Sequence, residues 1–87
     1  MATVEVYTTG YCPYCHRAKA LLDQKQVAYK EIRVDEYPSR RSEMMARANG
    51  SHTVPQIFID DRHIGGCDDM MAMEYNGELD PILKELN

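Results

Sequence analysis

TVEVYTTGYCPYCHRAKALLDQKQVAYKEIRV, residues 3–34, decides the fold. Thr3 to Thr8 is β-prone and partly alternating, with Val4 and Val6 on one face, and reads as a strand that Gly10 ends. Pro13 to about Lys25 reads as a helix. Proline suits the first helical position because its missing N–H would be unpaired there anyway. Cys12 then becomes the N-cap. Ala18, Leu21 and Leu22 form an apolar stripe, with Arg17, Lys19 and Asp23 outside it. Val27 to Val34, with Ile32 and Val34 on one face, reads as a second strand. Strand, helix, strand at this spacing is a βαβ unit, with a right-handed crossover and parallel strands.

Downstream residues extend the same sheet. Pro38 opens a second helix that runs through Met44 and Met45, and Asn49-Gly50 ends it. Gln56 to Ile59 is an apolar strand, Asp60-Asp61 is turn chemistry, and His63-Ile64 starts a return strand. Gly65-Gly66 breaks the pattern. Two short helices follow, Asp68 to about Glu74 and about Glu78 to Leu86, divided by Asn76-Gly77. The expected fold is α/β in the order βαβ-α-ββ-αα, a four-stranded mixed sheet flanked by helices. Residues 1–87 are expected to form a single domain.

Composition narrows the function classes. The chain of 87 residues is 44% hydrophobic and 28% charged, as in an ordinary globule rather than a disordered chain. It has no apolar stretch of membrane-spanning length, and its start lacks the basic and apolar regions of a signal peptide. A cytoplasmic protein without membrane contact is expected. The net charge of −4 is uneven. Residues 12–50 carry eight basic and five acidic side chains, and residues 51–87 carry two and eight. The positive segment favours thiolates and anionic ligands. It holds no basic cluster of the kind that marks nucleic-acid binders.

Cys12-Pro13-Tyr14-Cys15 lies in that segment. A disulfide oxidoreductase needs a thiolate near neutral pH, and a helix start supplies unpaired N–H donors and partial positive charge for it. A second thiol two residues on can reach the first. Cys12 is therefore the expected nucleophile. Cys15, one turn in and more buried, is expected to be slower. CxxC after a strand and opening a helix is the pattern of a thioredoxin-like redox site.

Three other readings of these residues exist. Cys12 to His16 formally matches C-x-x-C-H haem attachment, which needs export and a helical globule. Zinc binding by Cys12, Cys15, His16 and a distant Cys67 or His52 lacks a second closely spaced pair. An iron–sulfur cluster held with glutathione is disfavoured by Pro13 and by an available Cys15. No metal is expected.

Cys12-Pro-Tyr-Cys15, Thr53-Val54-Pro55 and Gly65-Gly66-Cys67-Asp68-Asp69, in this order and spacing, resemble the dithiol glutaredoxins, most nearly the bacterial glutaredoxin 3 type. The resemblance spans essentially the whole chain. It implies a thioredoxin-like fold and a glutathione-dependent thiol–disulfide oxidoreductase, monomeric and active in cell redox homeostasis. Implied substrates are disulfide-containing and glutathionylated proteins, with ribonucleotide reductase as one recipient known in the family. It also implies a cis Val54–Pro55 bond beside the cysteines and a glutathione site at Tyr14, Thr53, Val54, Pro55, Gly66, Cys67, Asp68 and Asp69. The backbone of Val54 would pair with the cysteine of glutathione like a short strand. The start of the helix at Cys67 would receive the γ-glutamyl carboxylate, and an Asp its ammonium. Asp68 and Asp69 also read simply as helix caps. Cys67 reads as a small residue near the ligand or as a site of oxidation or glutathionylation. One departure is Thr9, where glutaredoxins often carry Lys. Arg41 in the second helix, or Arg40, is the expected substitute for glutathione's glycyl carboxylate, with a weaker grip on glutathione or a less readily ionised Cys12.

Overall fold

A computed structural model describes residues 3–84. The apolar strand pattern places two strands at the centre of one sheet. β1 (Val4–Thr8) runs parallel to β2 (Lys30–Arg33), from Glu5 opposite Lys30 to Thr8 opposite Arg33. On its other side it is antiparallel to β3 (Gln56–Ile59), with Val4 opposite Ile59 and Tyr7 opposite Gln56. β4 (Arg62–Gly65) closes the order β2-β1-β3-β4. All four residues of β3 are buried, as expected for a strand flanked on both edges and covered on both faces.

Helices cover the two faces. α1 (Pro13–Gln24), α3 (Cys67–Tyr75) and α4 (Leu79–Lys84) bury Ala18, Leu21, Leu22, Met70, Leu79 and Leu83 against Val4, Val6, Ile57 and Ile59. α2 (Pro38–Arg47) covers the opposite face, where Met44 and Ala48 meet Tyr7, Ile32, Val34 and Phe58. Arg47 of α2 crosses that face, its guanidinium 4.1 Å from the Phe58 ring centre and bonded to Tyr7 and Glu5.

The turns follow their residues. Asp60 and Asp61 both take positive φ (53° and 67°), the signature of a two-residue hairpin turn whose twist matches its strands. Three helices end at a left-handed residue that turns the chain back on the last turn. Gln26, Asn49 and Gly77 are those residues, at φ 59°, 55° and 74°. Val27, Gly50 and Glu78 then donate to Leu22, Met45 and Met73.

The first of these stops corrects the expected second strand. Val27 to Tyr29 do not join the sheet, because Gln26 and Val27 are used to close α1, and pairing begins at Lys30. The expected extension of the last helix to Leu86 lies outside the described residues.

Candidate active site

β1 delivers the chain to the sheet's end, and the turn at Gly10 reverses it into α1. Asp35 holds this turn by accepting from the Gly10 N–H (3.0 Å), and Arg33 grips Asp35 with two hydrogen bonds of 2.8 Å. That grip keeps the Asp35 carboxyl well below the ordinary carboxylate range, with the Gly10 N–H adding to it.

Cys12 caps α1 from an extended backbone (φ −133°, ψ 103°). Its sulfur accepts the Cys15 N–H at 3.1 Å. This is a cap made by a thiol where Ser or Asp usually serves. The thiol also donates to the Val54 carbonyl at 3.7 Å. The Val54–Pro55 peptide is cis, so this segment lies beside the cysteine as the resemblance implied.

The two thiols differ in burial. Cys12 keeps 8% of its surface and Cys15 none. Burial, with the neighbouring Cys12 adding to it, pushes the Cys15 thiol up to about 12. Cys15 is therefore a protonated thiol at neutral pH. Cys67 is also buried, and burial raises its thiol pKa.

A cleft of about 300 Å³ opens beside this pair, at the low end for small-molecule sites. Its wall includes Tyr14, Thr53, Val54, Pro55, Gly66, Cys67, Asp68 and Asp69. Eight of the nine residues expected at a glutathione site are thus gathered in one place, from α1, the loop before β3 and the start of α3. The ninth, Arg41, is not in the wall. It donates to the His52 carbonyl at 2.7 Å, next to Thr53. Arg40 is paired with Glu43 at 2.8 Å.

The two aspartates divide their work. The Asp69 carboxylate turns back to accept the Gly66 N–H (2.9 Å), closing the first turn of α3. Asp68 stays exposed beside it. Gly65, at φ +119°, leaves room for that carboxylate, since a Cβ there would collide with it. Tyr14 is 53% exposed, with the Arg17 guanidinium 5.5 Å from its ring centre. Among the described residues no three His, Cys, Asp or Glu side chains converge as metal ligands.

The chain matches the glutaredoxin family over residues 4–64. It is 57% identical over 84 residues to glutaredoxin 3 of Escherichia coli (strain K12), which covers 97% of this chain and 100% of that one. The chain belongs to the glutaredoxin family. It is a glutathione-dependent thiol–disulfide oxidoreductase with the cysteine pair Cys12–Cys15. Two solved glutaredoxins share its thioredoxin-like fold. A solution structure from Brucella melitensis superposes with a TM-score of 0.84 at 50% identity, covering 97% of this chain and 90% of that one. A buckwheat glutaredoxin–glutathione complex superposes at 0.88 with 36% identity, covering 97% and 78%.

Four further residues line the glutaredoxin cleft: Ser51, Gln56, His63 and Gly65. Gln56 had a signal in the sequence. It is a polar residue heading an otherwise apolar strand, and it is only 3% exposed. Buried polar side chains are there for their hydrogen bonds.

Proposed function

We propose that Cys12 is the attacking thiolate, that Cys15 is the resolving thiol, and that the adjoining cleft seats the glutathionyl group of a mixed disulfide. The observation that carries this reading is the Cys12 sulfur, capped by the Cys15 N–H at 3.1 Å and in contact with Val54 of the cleft wall. In this proposal residues 1–87 work as a single cytoplasmic glutaredoxin domain, without a metal and as a monomer. Among the described residues no helix is long and apolar enough to cross a membrane.

With a glutathionylated protein, Cys12 attacks the glutathionyl sulfur. The Cys12–glutathione bond forms, and the protein leaves as a thiolate that takes a proton from water. A glutathione thiolate then attacks that same glutathionyl sulfur. Oxidised glutathione leaves, and Cys12 is again a thiolate. With a protein disulfide, Cys12 forms a mixed disulfide with one protein sulfur and frees the other. Cys15 then loses its proton and attacks the Cys12 sulfur, releasing the second protein thiol and closing Cys12–Cys15. One glutathione reopens that ring and a second removes the first as oxidised glutathione. Cys15 attacks only after losing its proton, and the first route does not use it.

Seating follows from the wall. The backbone of Val54 pairs with glutathione's cysteine. The N-terminus of α3 meets the γ-glutamyl carboxylate. Asp68 meets its ammonium, because Asp69 is committed to Gly66. Arg41 uses one of its five N–H donors on the carbonyl of His52, which lies between the wall residues Ser51 and Thr53. It would turn another toward the glycyl carboxylate.

Reduction of a glutathionylated peptide, coupled to NADPH and glutathione reductase, tests the reading. Turnover that depends on glutathione, survives Cys15→Ser and vanishes in Cys12→Ser supports it. Turnover driven by a flavoprotein thioredoxin reductase in the absence of glutathione would overturn it in favour of a thioredoxin-like donor.

A further inference from the structure

His63 lies in the cleft wall with no part in the chemistry above. Its Nε2 is 2.6 Å from Gln56 Oε1. From the other end of the same amide, Gln56 Nε2 donates to the Thr53 carbonyl (3.0 Å) and reaches the Thr53 hydroxyl (3.2 Å). These contacts fix the whole chain of donors. The Thr53 carbonyl only accepts, so the amide must point its NH2 at Thr53 and its oxygen at His63. That oxygen needs a donor, so the ring carries its proton on Nε2. A neutral Nε2–H ring and an imidazolium both satisfy it. Reversing the amide would set its oxygen against the Thr53 carbonyl oxygen, two acceptors with no proton between them.

The ring itself is held in place. Phe58 is its cross-strand partner, and the two rings stack with centres 5.0 Å apart and planes 27° from parallel. Arg47 packs over Phe58 in turn. Gln56 is buried, so this relay is desolvated, and the loss of one member leaves another unpaired. Thr53 itself is exposed and heads the Thr53-Val54-Pro55 wall.

We propose that His63 is a positioning residue for glutathione: through Gln56 it fixes the orientation of Thr53 in the cleft wall. The inference rests on the cleft seating a glutathionyl group. It assigns His63 an effect on the binding of that group and none on the attack by Cys12.

The test is the coupled assay with a glutathionylated peptide, read as KM and kcat separately. His63→Phe keeps the stack on Phe58 and removes the donor. It should raise KM roughly three- to ten-fold, the size of one hydrogen bond, with kcat changed less than about two-fold. His63→Gln, whose amide N–H reaches the position of Nε2, should recover most of the wild-type KM. Gln56→Met keeps the side-chain length and cuts the relay at its middle. It should match His63→Phe, and the double variant should be no worse than either single one. An unchanged KM in His63→Phe, or a double variant whose losses add, would overturn the proposal. Should His63→Phe not fold, Gln56→Met and the His63→Gln recovery decide it alone. Failure of the wild type to use the glutathionylated peptide would refute the site reading itself, a result that none of the His63 variants can produce.

Discussion

Gly65→Ala tests how the start of α3 is built. Gly65 sits at φ +119°, and a Cβ added there meets the Asp69 carboxylate. That carboxylate is not idle, since it closes the first turn of α3 on the Gly66 N–H. Two costs follow. A residue with a Cβ in such a backbone conformation loses about 1–3 kcal/mol. Displacing a capping carboxylate loses about 1 kcal/mol more. Together they come to roughly 2–4 kcal/mol, which in a domain of this size lowers Tm by roughly 8–30 °C. Thermal unfolding by circular dichroism reads it. Asp69→Ala alone should cost only the cap, about 1 kcal/mol. In Gly65→Ala/Asp69→Ala the losses should fall short of the sum by about that amount, because the carboxylate can be lost only once. A Gly65→Ala protein that melts within about 4 °C of wild type, or a strictly additive double variant, would refute the reasoning.

Other expectations follow from the same contacts. Tyr7→Phe strips the buried hydroxyl that donates to Glu43 and accepts from Arg47, and should cost about 1–3 kcal/mol in urea unfolding. The Tyr7 hydroxyl holds the Glu43 carboxyl below its ordinary value. Its contribution is present above about pH 4.3 and is lost as pH falls through the lower folded value, so Tyr7→Phe should flatten the acid limb of a stability–pH profile. Cys15, with its thiol pushed up to about 12, should resist iodoacetamide up to about pH 9 in the folded protein, as read by peptide mass mapping. Between about pH 8.5 and that value the unfolded chain releases a proton that the fold retains, so stability should fall as pH rises through the window. Cys15→Ser should lose most reduction of an intramolecular protein disulfide while keeping glutathione-linked turnover, checked by running both substrates side by side.

The sequence showed the βαβ unit, the hairpin and the Cys12 cap because each rests on local chemistry: proline at N1, paired aspartates in a tight turn, alternating valines. Val27 to Tyr29 misled because the stop of α1 is made by Gln26. Glutamine is a rare choice for a left-handed residue, whereas Asn49 and Gly77 announce the same stop in the other two helices. The cleft was legible where it is made of motif residues close in sequence. His63, Gln56 and Thr53 were not legible as a unit. Their link depends on the β3–β4 register, in which His63 faces Phe58 and its ring reaches back to Gln56. Arg41 is expected at the ligand as a cation replacing the Lys absent at Thr9. It is bonded to the His52 carbonyl, between the wall residues Ser51 and Thr53.

In the proposed route the Cys12 sulfur is the atom that receives glutathione. Reduced Cys15→Ser protein, treated with a glutathionylated peptide and quenched in acid, should carry a single glutathione, and peptide mapping should place it on Cys12. Adding free glutathione should then discharge it. A glutathione on Cys67, or none on Cys12 after the peptide has been consumed, would contradict the account.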